Sequence, residues 1–353
     1  MAQDSLFSLI PTFSLTPNRL SIYNTFVRND NFECSDKKIS NTLEGKKLLA
    51  NLHGGEYSAE TRFHDFKLSL AAKKNLMQKI NWLYFMAKSR YKKSISGVEI
   101  FNFKMNFITL TLSGTQKHPT SEITAAIFNQ FLVEIREIYK LENYVWRLEF
   151  QKNGNVHYHI VTDTFTDFHI VTKIWNRCQA KLGYIQQYQE KHALMSLNDY
   201  VTEYSNGGKN SFDTLKHRYL KGKQHNWSTP NSCDVKSVSS GKKIQFYISK
   251  YFAKKENVNN SHNSLDTKEN SLGLRLWFCS RSLSKLKKIT DFVPAFSIDL
   301  LGIVTKVKDT FVAIHDYCTS YFYNFSSLFP EDKSVIHKLL HGYATDLGYC
   351  PDV

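Results

Sequence analysis

The 353-residue chain has no C-x-x-C pair: its six cysteines, Cys34, Cys178, Cys233, Cys279, Cys318 and Cys350, are scattered. That spacing argues against a zinc ribbon and suits reduced thiols in a cytoplasmic compartment. No G-x-x-x-x-G-K-S/T stretch occurs, so a helicase of that kind is absent and any strand separation must come from another protein. Long apolar runs are missing as well. The stretch from Phe292 to Val304 is too short and too interrupted to span a bilayer, and the first residues lack the basic-then-apolar order of a secretory signal. These absences predict a chain with no membrane span. Acidic charge is also in deficit: 32 Asp+Glu face 46 Lys+Arg, giving a net charge of +14, and 14% of residues are aromatic. A basic, aromatic-rich composition points to nucleic acid, although charge alone leaves open a basic protein with no polyanionic partner. At this length one main domain with substantial additions, or two domains, is expected.

The most informative stretch is Val145 to Asp163, V-W-R-L-E-F-Q-K-N-G-N-V-H-Y-H-I-V-T-D. Two alternating runs flank Lys152-Asn153-Gly154, which is the pattern of a β-hairpin. Side chains alternate across a strand, so Arg147 and Glu149 share one face, while His157 and His159 share a face on the return strand. Two imidazoles on one face can grip one divalent ion, with Glu149 as the third ligand if the register allows. A two-residue Asn153-Gly154 turn sets Glu149 opposite Tyr158, on the wrong face. A three-residue loop with Gly154 in the left-handed conformation sets Gln151 opposite Asn155 and Glu149 opposite His157. The metal reading therefore requires the bulged hairpin. Two imidazoles and a carboxylate leave positions open for water and a phosphate oxygen, which suits Mg²⁺ or Mn²⁺. The bland alternative is an exposed strand whose histidines are incidental.

Elsewhere, residues 1 to about 65 are weakly patterned and broken by Pro11, Pro17, Gly54 and Gly55. A helical stripe of Leu76, Ile80, Leu83 and Ala87 follows, ringed by lysines that include Lys79 and could track phosphates. Asn106 to Ser113 reads as a strand. Thr120 or Ser121 caps a helix with Ile127, Phe131, Ile135 and Ile138, and Asp167 caps another with Ile170, Ile174 and Cys178, stopped by Gly183. Tyr188 to Trp227 reads as a polar insertion bordering the binding surface, and Asp234 to Val238 as a short strand. Lys242 to Lys255, K-K-I-Q-F-Y-I-S-K-Y-F-A-K-K, reads as a helix whose Tyr247, Lys250, Tyr251 and Lys254 share one face. A phenol is a poor nucleophile at its ordinary pKa, but a divalent ion drawing charge from a phosphate makes transfer to it feasible. The competing reading is that these tyrosines only pack. Residues 256–272 read as a mobile polar loop. The aromatics of the last sixty residues, among them Phe311, Tyr317, Tyr321, Phe322 and Tyr323, read as helical packing.

In order, the strand F-I-T-L-T-L-S, the H-Y-H strand and the Y-x-x-K helix resemble the three motifs of HUH endonucleases that initiate rolling-circle replication. Tyr247-Ile-Ser-Lys250-Tyr251-Phe-Ala-Lys254 is similar to the paired-tyrosine motif of gene A-type initiators of small single-stranded DNA phages, the Microviridae and relatives. Tyr158 departs from the aliphatic residue usual at the middle of the histidine motif. The resemblance implies that Glu149, His157 and His159 hold Mg²⁺ or Mn²⁺. It implies further that Tyr247 and then Tyr251 form 5′-phosphotyrosine links to single-stranded origin DNA, with Lys250 and Lys254 supporting the phosphate. Arg147, Lys152, Lys242, Lys243, Lys255, Arg275 and Arg281 are expected to contact the DNA. A host helicase and polymerase are the implied partners, with no membrane and no small-molecule cofactor. A plasmid initiator, relaxase or transposase of the same superfamily, or a non-catalytic nucleic-acid-binding module, are the alternatives. The expected fold is α+β: a central antiparallel sheet of about five strands, ferredoxin- or RRM-like, with helices packed on it and mainly helical N- and C-terminal additions. The expected division is an accessory region over 1–95, the endonuclease domain over 96–288 with an insertion near 188–230, and a helical region over 289–353.

Overall fold

A computed structural model describes residues 7–28, 68–93, 99–205, 207, 209–238, 274–291, 294–316 and 318–349. The chain divides into two units. One comprises residues 1–64 with 288–337, and the other 65–287 with 338–353. Residues 65–95, grouped with the N-terminal region in the sequence reading, fall in the second unit.

In chain order, the elements begin with β1 (Phe7–Thr16) and β2 (Arg19–Arg28), then α1 (Leu70–Met86), β3 (Arg90–Lys93), β4 (Glu99–Phe103) and β5 (Met105–Thr111). Helix α2 runs over Thr120–Ile123, makes one π-helical turn over Thr124–Phe128 and continues over Asn129–Tyr139. Next come β6 (Tyr144–Phe150), β7 (Val156–Thr162), α3 (Phe168–Ala180), α4 (Tyr184–Ala193), α5 (Leu197–Tyr204), α6 (Phe212–Gln224), β8 (Cys233–Val238) and β9 (Trp277–Cys279). The chain closes with α7 (Arg281–Lys285), β10 (Ile289–Asp291), α8 (Pro294–Thr305), β11 (Phe311–His315), β12 (Cys318–Phe322) and α9 (Pro330–Asp346).

The first unit holds an antiparallel sheet in the order β10-β1-β2-β12-β11. The sequence reading gave its two contributing segments no strands. Residues 7–28 form a hairpin about a Pro17-Asn18 turn, with Phe13 opposite Ile22 and Leu15 opposite Leu20. Pro11 is tolerated because β10 pairs β1 only at Phe13–Leu15, so its missing N–H lies beyond that ladder. Residues 311–322, expected as helical packing, are strands instead. The Tyr323 hydroxyl, just past β12, donates to the Thr16 carbonyl at 2.8 Å. Tyr317 lies outside the described residues.

The second unit is built on the sheet β8-β5-β7-β6-β9, antiparallel throughout. Its first four strands follow the expected β-α-β-β-α-β order, and β9 is added at the edge. One face packs on α2 and α3. There Tyr158 stacks on Phe128, with centroids 4.0 Å apart, and Trp175 meets Phe131 edge to face. Each such fully buried large side chain contributes about 1.5–3 kcal/mol. Asp167 caps α3 as expected, accepting from the N–H of His169 and Ile170. Pro119, without a side-chain bond, takes the N-cap of α2 in place of Thr120 or Ser121. Ile138 and Ile170, expected in the buried stripes, are 52% and 42% exposed, and Val171 and Trp175 take the inward positions of α3. Lys79 of α1 is buried rather than phosphate-facing, and its ammonium donates to the carbonyls of Ser284, at 3.0 Å, and Leu286.

The insertion is not loop but the three helices α4, α5 and α6. Tyr200, Leu215, Tyr219 and Trp227 form its small core, with Tyr188, Met195 and Tyr204 packed against them. His192 holds the centre, with Nδ1 2.7 Å from the Tyr188 carbonyl and Nε2 2.9 Å from the Tyr204 hydroxyl. A core built of tyrosines reads as polar in a hydropathy pattern, which is why it escaped the sequence reading.

Candidate metal centre

The hairpin of β6 and β7 takes the bulged form. Gly154 has φ 82°, its N–H donates to the Gln151 carbonyl at 3.0 Å, and the Gln151 N–H donates to the Asn155 carbonyl at 2.9 Å. Glu149 therefore stands opposite His157, and Arg147 opposite His159. Hydrophobic segregation explains the choice. In this register Trp146, Leu148 and Phe150 oppose Ile160, Tyr158 and Val156. A two-residue turn would set Leu148 against His159 and Phe150 against His157, mixing core and polar faces.

On the face away from α2 and α3, His159 lies between two partners. Its Nε2 is 2.7 Å from Glu149 Oε1, and its Nδ1 is 3.2 Å from Thr109 Oγ1 on β5. An ionised carboxylate only accepts, so Nε2–H donates to Glu149 and Nδ1 accepts from the Thr109 hydroxyl. A hydroxyl can equally accept, so Thr109 serves either tautomer. The His157 ring centroid lies 4.5 Å from that of His159. Both His157 ring nitrogens are shielded from solvent and make no hydrogen bond.

Burial, and then the neighbouring His159, push the His157 pKa down to about 3, so its imidazole is neutral at physiological pH. That is the ligand form. Burial alone would raise the Glu149 carboxyl. The hydrogen bond from His159 and the charges of His159, Arg147 and His157 outweigh it and hold the group below its ordinary value. Among the described residues no group of three His, Cys, Asp or Glu side chains stands ready as a metal shell. Glu149 and His159 are committed to each other, and an ion would have to open that contact. The donor set nevertheless fits a divalent cation: a neutral imidazole with two unsatisfied buried nitrogens, a second imidazole and an ionised carboxylate.

Several residues outside the motif hold it in place. Asn155 Oδ1 accepts from the Gln116 N–H at 2.9 Å, its Nδ2 donates to the Gly114 carbonyl at 2.8 Å, and Gln116 Oε1 accepts from the Val156 N–H at 2.8 Å. The loop after β5 is thus tied to the residue before His157. Tyr158 has a structural reason to replace an aliphatic residue: its ring stacks on Phe128 and its hydroxyl lies 2.8 Å from Thr124 Oγ1 in the π-helical turn.

Of the expected DNA contacts, Lys152 on the hairpin loop, Arg275 and Arg281 are exposed, and Arg275 lies over the Phe278 ring. Arg147 is only 1% exposed, so it is not an open phosphate-binding side chain; its charge acts on Glu149. Tyr247, Lys250, Tyr251, Lys254, Lys242, Lys243 and Lys255 lie outside the described residues, as does the 256–272 loop. Thr109 and the Gln116–Asn155 clamp were missed in the sequence. Alternation places Thr109 on a face, but only strand order brings that face beside His159.

Among the described residues no helix is long and apolar enough to cross a membrane. No curated protein and no solved structure matches the chain. Residues 105–256, from the first strand of the hairpin's sheet through the paired tyrosines, match the family model of the replication-associated protein ORF2, which supports a role in DNA replication.

Proposed function

We propose that the second unit initiates rolling-circle replication by nicking and rejoining single-stranded DNA. The observation that carries this is the bulged register, which gathers Glu149, His157 and His159 on one face, with the buried nitrogens of His157 lacking partners. The family match supports it by spanning both this hairpin and Tyr247 to Lys254. Glu149, His157 and His159 would hold Mg²⁺ or Mn²⁺. Such an ion supplies charge withdrawal from the scissile phosphate. The Tyr247 hydroxyl oxygen attacks the phosphorus and loses its proton to solvent. The bond from phosphorus to the 3′-oxygen breaks, that oxygen takes up a proton, and a 3′-OH and a 5′-phosphotyrosine remain. Lys250 and Lys254 hold the phosphate oxygens. Tyr251 makes the equivalent attack while Tyr247 is esterified. The 3′-OH released in that second cleavage then attacks the first phosphotyrosine, freeing Tyr247 and closing a circle.

A second reading, nucleic-acid binding without chemistry, is favoured by the direct Glu149–His159 hydrogen bond and the lack of a ready metal shell among the described residues. A denaturing gel separates the two. Purified protein is incubated with labelled single-stranded origin DNA and Mn²⁺ or Mg²⁺. The nickase gives an SDS-resistant adduct that disappears with EDTA and with His157→Ala. Of the tyrosine variants, only the double Tyr247→Phe/Tyr251→Phe abolishes it. Binding without any adduct under either metal rejects the nickase.

A further inference from the structure

The inserted three-helix module carries a second surface that the nicking chemistry does not use. Helix α6 is anchored along one stripe only. Leu215 and Tyr219 are buried, Gly222 receives the Trp227 ring, and the Tyr219 hydroxyl donates to the Met195 carbonyl at 2.8 Å. At about 100° per residue, His217, Leu220 and Gln224 run along the opposite ridge. Lys216 and Lys223 lie on one flank of that ridge, and Arg218 and Lys221 on the other. All seven side chains are exposed.

The charge is not neutralised locally. None of the four cations is paired with a carboxylate among the described residues, and Lys223 only rests over the Tyr219 ring, 5.1 Å from its centroid. The module's own acids are engaged elsewhere: Asp199 caps α5 through Ser196, and Glu203 pairs with Lys191 at 2.5 Å. Asp213 sits in the first turn of α6, where the helix dipole favours it. A solvated helix has no reason to separate its cations into two rows about a neutral ridge. A helix lying in the major groove of duplex DNA does, because the groove is about 12 Å wide, admits one α-helix, and is walled on both sides by phosphates.

We propose that α6 is a recognition helix for double-stranded DNA. His217, Leu220 and Gln224 face base edges, and the Lys216/Lys223 and Arg218/Lys221 pairs contact the two phosphate walls. The site is separate from the metal centre and does not depend on nicking.

The test is fluorescence anisotropy of the full chain, in EDTA, with a random-sequence duplex of about three helical turns and with a single strand of the same length, over a salt series. The variant Lys216→Ala/Arg218→Ala/Lys221→Ala/Lys223→Ala keeps the helix, because alanine is the best helix former and every replaced side chain is exposed; circular dichroism verifies this. Its slope of log affinity against log salt on the duplex should fall by about 3 to 4, near 0.9 for each phosphate no longer neutralised, with at least tenfold weaker duplex binding. The control Lys74→Ala/Lys306→Ala/Lys308→Ala/Lys338→Ala removes the same charge from elsewhere and should change the slope little. An unchanged duplex slope in the α6 variant overturns the proposal. So does an equal loss in the control, or an equal loss on the single strand. Because EDTA suppresses phosphoryl transfer, any of these results leaves the nickase reading where it stands.

Discussion

Thr109 holds His159 from the side opposite Glu149, so it is a positioning residue for the candidate metal ligands. Thr109→Val keeps the branched shape and β-propensity but deletes the hydroxyl. Partners of this kind orient a histidine ligand and set its tautomer, and their loss costs about 10- to 100-fold in metal affinity. Calorimetric titration of the variant with Mn²⁺ should show that loss, while the unfolding midpoint moves little; unchanged affinity would remove Thr109 from the site. His157 is the complementary case. Its nitrogens lie buried and unbonded, which costs about 1–3 kcal/mol for each unsatisfied group, so the native fold tolerates it at a cost.

Two elements carry opposing effects whose signs can be decided. Helix α6 contains Gly222, and replacing an interior helical glycine by alanine ordinarily stabilises by about 0.5–1 kcal/mol. Here a new Cβ would lie 2.2 Å from the Trp227 ring. Trp227 cannot easily withdraw. Its N–H donates to the Gly222 carbonyl at 2.8 Å, and both Asn226 and Trp227 adopt left-handed backbone, with φ of 46° and 52°. Overpacking of about 1–3 kcal/mol therefore wins, and Gly222→Ala should lower stability in urea titrations. At the junction of β4 and β5, burial drives Lys104 down to about 8 from an ordinary 10.5, while its ammonium lies 4.1 Å from the Tyr84 ring centroid. The folded value is below the unfolded one, so the native state binds fewer protons between about pH 8 and 10.5, and stability rises with pH across that window. Relative to Lys104→Met, the parent should gain about 2 kcal/mol between pH 7 and pH 9.5, less whatever the cation–π contact returns. Parallel pH profiles for the two proteins would refute this.

At the scale of the molecule, each unit is assembled from distant stretches of chain. In the second, residues after 337 return to the sheet that begins near 105. The Tyr349 ring is 1% exposed and its hydroxyl donates to Asp163 Oδ2 at 3.1 Å, while Tyr343 packs against Trp82. Tyr349→Ala should cost about 3–5 kcal/mol, as for other fully buried large aromatics, and Tyr349→Phe about 1 kcal/mol for the hydrogen bond alone. Chemical denaturation of both checks this, and equal stabilities would mean the ring contributes nothing. The net charge of +14 is distributed unevenly in use: Lys79 and Arg147 are spent inside the fold, whereas the cations of α6 remain open.

The sequence by itself determined the strands of the second sheet, their antiparallel β-α-β-β-α-β order and the hairpin register, because period-two alternation and the need to separate Leu148 and Phe150 from His157 and His159 are local properties. It also carried the nomination of Glu149, which depends only on counting residues around a glycine that can adopt positive φ. Only the tertiary structure decided which cations face solvent, since burial of Arg147 and Lys79 follows from strand order and from the carbonyls of a segment about two hundred residues away. The same holds for the tyrosine-built core of α4, α5 and α6 and for the first unit's sheet. Polar aromatics and a proline-broken strand carry little hydropathy signal, and their stabilisation comes from partners far along the chain.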